Sequence, residues 1–169
     1  MSEIKSEISN QYLTFMMEGE NYALSVAGVS EVLTVPKVTH IPRMPAFMRG
    51  VVNLRGAVVP ILDLKLKFGI GETVITPKTA IVVVEIALEG EAGNEAGGEN
   101  IQRLGVFADS VEKVVTLAAS DIEPPPRIGT RIRKSFIEGM GHLDDGFVAI
   151  LNMREILTEE DLAMAESAG

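Results

Sequence analysis

Catalysis by this chain would have to start from two histidines, His40 and His142, and a scatter of carboxylates. There is no cysteine, which removes a disulfide framework, a cysteine-ligated zinc and a thiolate nucleophile. The histidines lack H-x-x-x-H spacing, and each sits in or beside an apparent strand. No G-x-S-x-G elbow occurs. Gly69-Ile70-Gly71 is not followed by G-K-[ST], so it is no phosphate loop. Asp109, Asp121, Asp144 and Asp145 fall at strand ends or turns, where a short carboxylate bonds to nearby backbone. The acids of the tract Glu89–Asn100 lack the spacing of a calcium loop. No nucleophile and base come together, so the expectation is a protein that is not an enzyme and needs no metal or cofactor.

Binding is the chemistry left. The net charge of −9 opposes a phosphate backbone. One basic cluster, Arg127, Arg131, Arg133 and Lys134, follows Pro124-Pro125-Pro126. A nucleic-acid patch is the rival reading of it. No aromatic residues interleave these charges to stack on bases, so a solvated loop is expected and nucleic acid is not. Hydrophobic residues make up 46% of the chain, enough for a packed core. The longest clean apolar run is Ala80–Val84, far below the ~20 residues of a membrane span. Met1–Asn10 has no apolar stretch. With no cysteine to oxidise, the expected setting is the cytoplasm, with no direct membrane insertion.

The elements that would present a docking surface come in two copies. At an offset of 89, Phe47–Leu54 lies over Phe136–Leu143 and Val59–Leu64 over Val148–Met153. At an offset of 82, Gly28–Leu33 lies over Ser110–Val115. Each copy reads as short strands. Leu13, Phe15 and Met17 share one face, and Tyr22, Leu24 and Val26 alternate after the turn Glu18–Asn21. Further strands are expected at 51–54, 57–62, 79–88, 104–108, 111–117, 137–142 and 146–151. Thr79–Leu88 is apolar on both faces except Glu85, which marks a central strand. Helices are few: one turn at Pro45–Arg49, a turn capped by Asp63, and two short C-terminal helices at Asn152 and Thr158. The tract Glu89–Asn100 holds no apolar residue larger than alanine and is read as a flexible hairpin tip.

The run Phe47-Met48-Arg49-Gly50-Val51-Val52-Asn53-Leu54-Arg55-Gly56-Ala57-Val58-Val59-Pro60-Ile61-Leu62-Asp63-Leu64 resembles the CheW family of chemotaxis coupling proteins, in the pattern F-x-x-G-x-x-N-L-R-G-x-x-x-P-I-x-D-L. Glu20–Leu33 and Leu104–Leu117 extend the likeness. The tract 89–100 is longer than in compact relatives, and Ser110 stands where a glycine is common. The resemblance implies a mainly β fold of two small five-stranded SH3-like barrels in tandem, with short helices. A flexible N-terminus over 1–10 precedes a domain over 11–165. Its sub-barrels span 11–75 and 76–152, with exchange of a strand or helix between them, and a helical tail covers 153–169. It also implies a non-catalytic adaptor coupling the cytoplasmic tips of chemoreceptors to the regulatory domain of a CheA-type histidine kinase, recruited to membrane arrays. Other CheW-like domains are further partners, and a non-flagellar pathway for pilus or surface motility is the alternative setting. By the resemblance, Val29, Glu31, Gly50, Arg55, Val111 and Val114 fall at receptor- or kinase-coupling positions. Val29 and Val111 are expected on opposite walls of one groove, with Glu31 as partner to Arg55 and a conformational role open for Gly50.

Overall fold

The computed structural model describes residues 10–88, 100–125 and 132–168. The tract 89–99 and the positions Arg127 and Arg131 lie outside these. Eleven strands run in chain order: β1 Gln11–Met17, β2 Glu20–Ser25, β3 Val29–Thr34, β4 Met48–Leu54, β5 Ala57–Leu62, β6 Ala80–Leu88, β7 Asn100–Ala108, β8 Ser110–Thr116, β9 Ile122–Glu123, β10 Ile137–Leu143 and β11 Gly146–Leu151. Three short helices join them: α1 Leu64–Phe68, α2 Met153–Ile156 and α3 Glu159–Ala168. The expected helical turn at Pro45–Arg49 is instead a hydrogen-bonded turn. Met48 N–H donates to Pro45 O at 2.9 Å, and Met48 already begins β4.

The strands form a six-stranded sheet, β8-β1-β2-β11-β10-β9, and a five-stranded sheet, β3-β6-β7-β5-β4. This corrects the expectation of two five-stranded SH3-like barrels, because neither sheet closes. β3 and β4 end one sheet, and β8 and β9 end the other. Proline supplies the physical reason. Pro36, Pro42 and Pro45 interrupt the path from β3 to β4, and a residue without an N–H cannot extend a ladder. Only one bridge forms there, Thr39 to Val51. β9 likewise stops after two residues, where Pro124 and Pro125 follow.

The duplication survives in the hydrogen-bond register. Hairpin β4–β5 pairs Val51 with Pro60 and carries a bulge between Met48 and Gly50. Hairpin β10–β11 pairs Met140 with Ala149, with its bulge between Ile137 and Gly139. These are the same positions at the offset of 89. Val29 opposite Val84 matches Val111 opposite Phe15, again with a bulge beside each. Yet the copies are intertwined. The hairpin β1–β2 joins β8, β9, β10 and β11, while β6–β7 joins β3, β4 and β5. The six-stranded sheet therefore takes two strands from the first copy and four from the second, and the five-stranded sheet takes three and two. One parallel and one antiparallel pair splice each sheet: β2 with β11 and β1 with β8 in one, β5 with β7 and β3 with β6 in the other.

Burial follows this arrangement. One large cluster, including Phe15, Tyr22, Leu62, Val84, Leu104 and Leu151, draws on both sheets. Each sheet also has a small cluster of its own, around Ile61 and Phe107 in one and around Ala23 and Ile150 in the other. β6 is central, between β3 and β7, as its two apolar faces predict.

The C-terminal helix α3 is fixed by a reciprocal cap. Thr158 N–H donates to Asp161 Oδ2 and Asp161 N–H donates to Thr158 Oγ1, both at 3.0 Å. Lys67 of α1 donates to Asp161 Oδ2 at 2.6 Å. Burial alone would raise the Asp161 pKa. The bond and charge of Lys67 and the bonds from Thr158 outweigh it and hold the carboxyl below its ordinary 3.8. A depressed folded pKa contributes stability that is present above the unfolded value and lost as pH falls through the folded one. We therefore expect α3 to loosen below about pH 4, read as faster amide exchange at Leu162 on acidification. Asp161→Asn should remove that pH dependence.

Candidate functional site

Turn chemistry places the first charged group. Arg55-Gly56 is a two-residue hairpin loop with φ of +52° and +88°, the double positive φ of a type I′ turn. Asn53 Oδ1 accepts from Gly56 N–H at 3.0 Å and supports it. Arg55 Nη2 then donates to both carboxylate oxygens of Glu31, at 2.6 and 2.5 Å. Glu31 lies on β3 and Arg55 just past β4, the two end strands of the five-stranded sheet. The pair thus clasps the sheet's two open ends. Its arginine side chain remains 78% exposed.

Val29 and Val111 occupy twin positions on the outermost strands β3 and β8. Both are half-buried against the cluster shared by the two sheets. Val114 on β8 is 52% exposed, and its twin Val32 on β3 is 42% exposed. Val32 was not foreseen as a site residue, although the offset of 82 places it under Val114. At the next position the copies diverge in charge: Glu31 on β3 corresponds to Lys113 on β8.

Gly50 stands apart from this group. It is buried in β4 with φ +150°, and a Cβ there would lie 2.3 Å from Thr39 O and 2.9 Å from Val38 Cγ1. Its missing side chain lets residues 38–39 cross β4 and form the Thr39–Val51 bridge, two N–H···O bonds of 2.8 Å. Gly139 does the same for β9, where a Cβ would meet Ile122 Cγ2 at 2.6 Å.

Two charged networks beneath the surface were not legible as such. Asp63, fully buried, accepts from Arg49 Nη1 at 2.8 Å, Thr73 N–H at 2.9 Å, Thr73 Oγ1 at 2.9 Å and Lys65 N–H at 3.1 Å. Lys65, also buried, meets Glu18 Oε1 at 2.9 Å and Asp109 Oδ1 at 2.8 Å. Glu18 lies in the β1–β2 turn, Asp109 between β7 and β8, and Lys65 on α1, so this triad ties the sheets together. Burial works to lower the Lys65 pKa, but the bonds and charges of Asp109 and Glu18 raise it above 10.5. Its contribution is full below the unfolded value and lost as pH rises through the raised one. The histidines build nothing comparable. His142 Nε2 lies 3.1 Å from Glu123 Oε1, with its ring 4.5 Å from Phe147. Among the described residues no three His, Asp or Glu converge on a metal position, and no helix is long and apolar enough to cross a membrane.

Two spliced sheets with outer strands paired on one side only, opposite charges at matching positions and two buried charge networks suit a docking scaffold. Such end strands and their flanking turns are the parts of a sheet that accept another protein. Residues 11–161 match the family model described as the CheW-like domain, and the chain belongs to the CheW family. It is a non-catalytic chemotaxis adaptor of the CheW type, acting in signal transduction. The chemotaxis protein CheW of Klebsiella aerogenes is 26% identical over 160 residues, covering 95% of this chain and 89% of that protein. That of Helicobacter pylori is 29% identical over 150 residues, covering 89% and 82%. The crystal structure of the scaffolding protein TtCheW from Thermoanaerobacter tengcongensis superposes with a TM-score of 0.74 at 31% identity, covering 90% of each chain. Membership implies interaction with chemoreceptors and with CheA.

Proposed function

We propose that the two outer strands β3 and β8 are separate docking faces, one for the cytoplasmic tip of a chemoreceptor and one for the regulatory domain of a CheA-type kinase. Val29, Glu31 and Arg55 serve the first face, and Val111 and Val114 the second. Gly50 acts through its fold, by setting the segment that crosses β4. The divergence of twin positions carries this reading. The two faces share a backbone but present Glu31 and Arg55 on one side, and Lys113 and the Asp144-Asp145 turn on the other. Charge differences of this kind select partners more than they add affinity. The protein works in the cytoplasm and reaches membrane arrays through its partners. Other CheW-like domains can join the same edges.

The test is reconstitution with kinase and receptor fragments from the same source. Receptor-controlled kinase activity should require this protein, and no complex with either partner at tens of micromolar would sink the reading. Arg55→Ala should lower coupling at least tenfold while the melting temperature stays within about 2–3 °C of wild type. An exposed ion pair is worth only ~0–1 kcal/mol, too little to unfold the chain. A large fall in melting temperature would show the pair to be a structural clasp alone.

A further inference from the structure

A cavity of ≈160 Å³ lies between the sheets, lined by Ser25 of β2, Val84 of β6, Glu138 of β10 and Asn152 beside α2. That is far above the ~10–15 Å³ that admits one water. The duplication identifies its counterpart in the other half of the molecule. By the matched hairpins Glu138 corresponds to Arg49 and Asn152 to Asp63, and by the matched parallel pairs Ser25 corresponds to Phe107. In the first half those three residues make one assembly. Arg49 Nη1 donates to Asp63 at 2.8 Å, and its guanidinium carbon sits 5.4 Å from the Phe107 ring centroid. In the second half arginine has become glutamate, aspartate has become asparagine, and the aromatic ring has become serine. The cavity lies among these three residues.

We propose that this cavity is a socket for an arginine side chain of a protein partner, received where the other half holds its own Arg49. Glu138 makes no ion pair among the described residues. Glu85, at the same rim, is already met by Arg103 at 3.2 Å, so Glu138 supplies the free carboxylate. Its charge is felt locally: burial first, and the Glu138 charge second, raise the Tyr12 hydroxyl above its ordinary 10.0. The remaining lining includes Leu24, Ile86, Leu151 and Met153. Glu138 itself is exposed at the mouth, and the apolar walls beside it favour the weakly hydrated guanidinium over an ammonium. Gly28 lines the cavity, and Val84 pairs with Val29. The arginine would therefore come from whatever docks along β3, and in that respect the proposal rests on the docking reading above.

The socket can be tested with no partner present. The full-length protein is titrated at low salt with N-acetyl-arginine amide, and with the neutral citrulline analogue, while amide spectra are recorded. Arginine should bind at least threefold more tightly, with shifts centred on Ser25, Gly28, Glu138 and Asn152. Glu138→Gln should abolish the difference. The double variant Glu138→Arg with Asn152→Asp supplies an internal arginine and should stop responding to the probe while remaining folded. Equal responses to the two probes, arginine shifts centred elsewhere, or a double variant that responds as wild type would overturn the proposal. If the socket fails and reconstitution succeeds, the docking reading stands without it.

Discussion

Asp63→Ala should destabilise the protein by about 3–5 kcal/mol, the cost of breaking a buried charge pair by removing one partner. Asp63 is wholly buried and satisfies four donors from two elements and a loop: Arg49 of β4, Lys65 of α1 and Thr73. Alanine would leave the Arg49 guanidinium with the Thr73 carbonyl and only the more distant, exposed Glu72 carboxylate at 3.8 Å. For a chain of this size the melting temperature should fall by roughly 10 °C or more. Asp63→Asn keeps an acceptor for the helix cap but not the charge, and its effect should be intermediate. The twin residue provides the control. Asn152 caps α2 by accepting from Arg154 and Glu155 N–H groups at 3.2 and 3.4 Å. Asn152→Ala should therefore cost only the ~1 kcal/mol of a lost cap. Equal losses at the two sites would show that the cap, and not the charge network, makes Asp63 important.

The second large effect belongs to Gly50→Ala. Two costs add at this position. A φ of +150° is strained for any residue with a Cβ, and the new methyl would lie 2.3 Å from the carbonyl oxygen of Thr39. Strain of this kind and overpacking each cost about 1–3 kcal/mol, so a loss of about 3 kcal/mol is expected by denaturant titration. The Thr39–Val51 bridge should open as well, read as loss of amide protection at Val51. Gly139→Ala should cost less, about 1–2 kcal/mol. There the added carbon meets the Ile122 methyl at 2.6 Å and the Glu123 carbonyl only at 3.0 Å, so a side chain can shift. Comparable losses in both variants would remove the role assigned to φ at Gly50.

The local pattern of this fold is written plainly in the sequence. Alternation at Leu13, Phe15 and Met17 gives β1, the Arg55-Gly56 pair gives its hairpin, and Asp63 and Thr158 mark helix starts that the structure contains. The duplicated register is legible too, down to Gly50 over Gly139. Which copy a strand pairs with is not. An offset reports that two segments are alike, and β2 carries no local mark of its preference for β11 over β5. Barrel closure failed as an expectation because strand count says nothing of the prolines between β3 and β4. The Lys65 triad was hidden for a related reason. Glu18 and Asp109 each look like ordinary turn acids, and only the packed sheets bring them to one lysine. Of the six site residues, Glu31 and Arg55 meet as their types suggest. Val29 and Val111 emerge as twins on different sheets, and Gly50 is a backbone device beneath the surface.

The splice between the two copies has a consequence for their history. Because each sheet contains strands of both, a change inside one copy is felt by the other, so an interior difference such as Asp63 against Asn152 has to be absorbed by both. Mutational freedom is pushed outward, to turns and outer strands where a side chain touches only its own surroundings. Arg55-Gly56 against Asp144-Asp145, and Glu31 against Lys113, are differences of that kind. An ancestral protein with two identical faces would have offered one specificity twice. If β3 and β8 serve separate partners as proposed above, interlocked interiors keep the backbone frame common while the rims are free to differ.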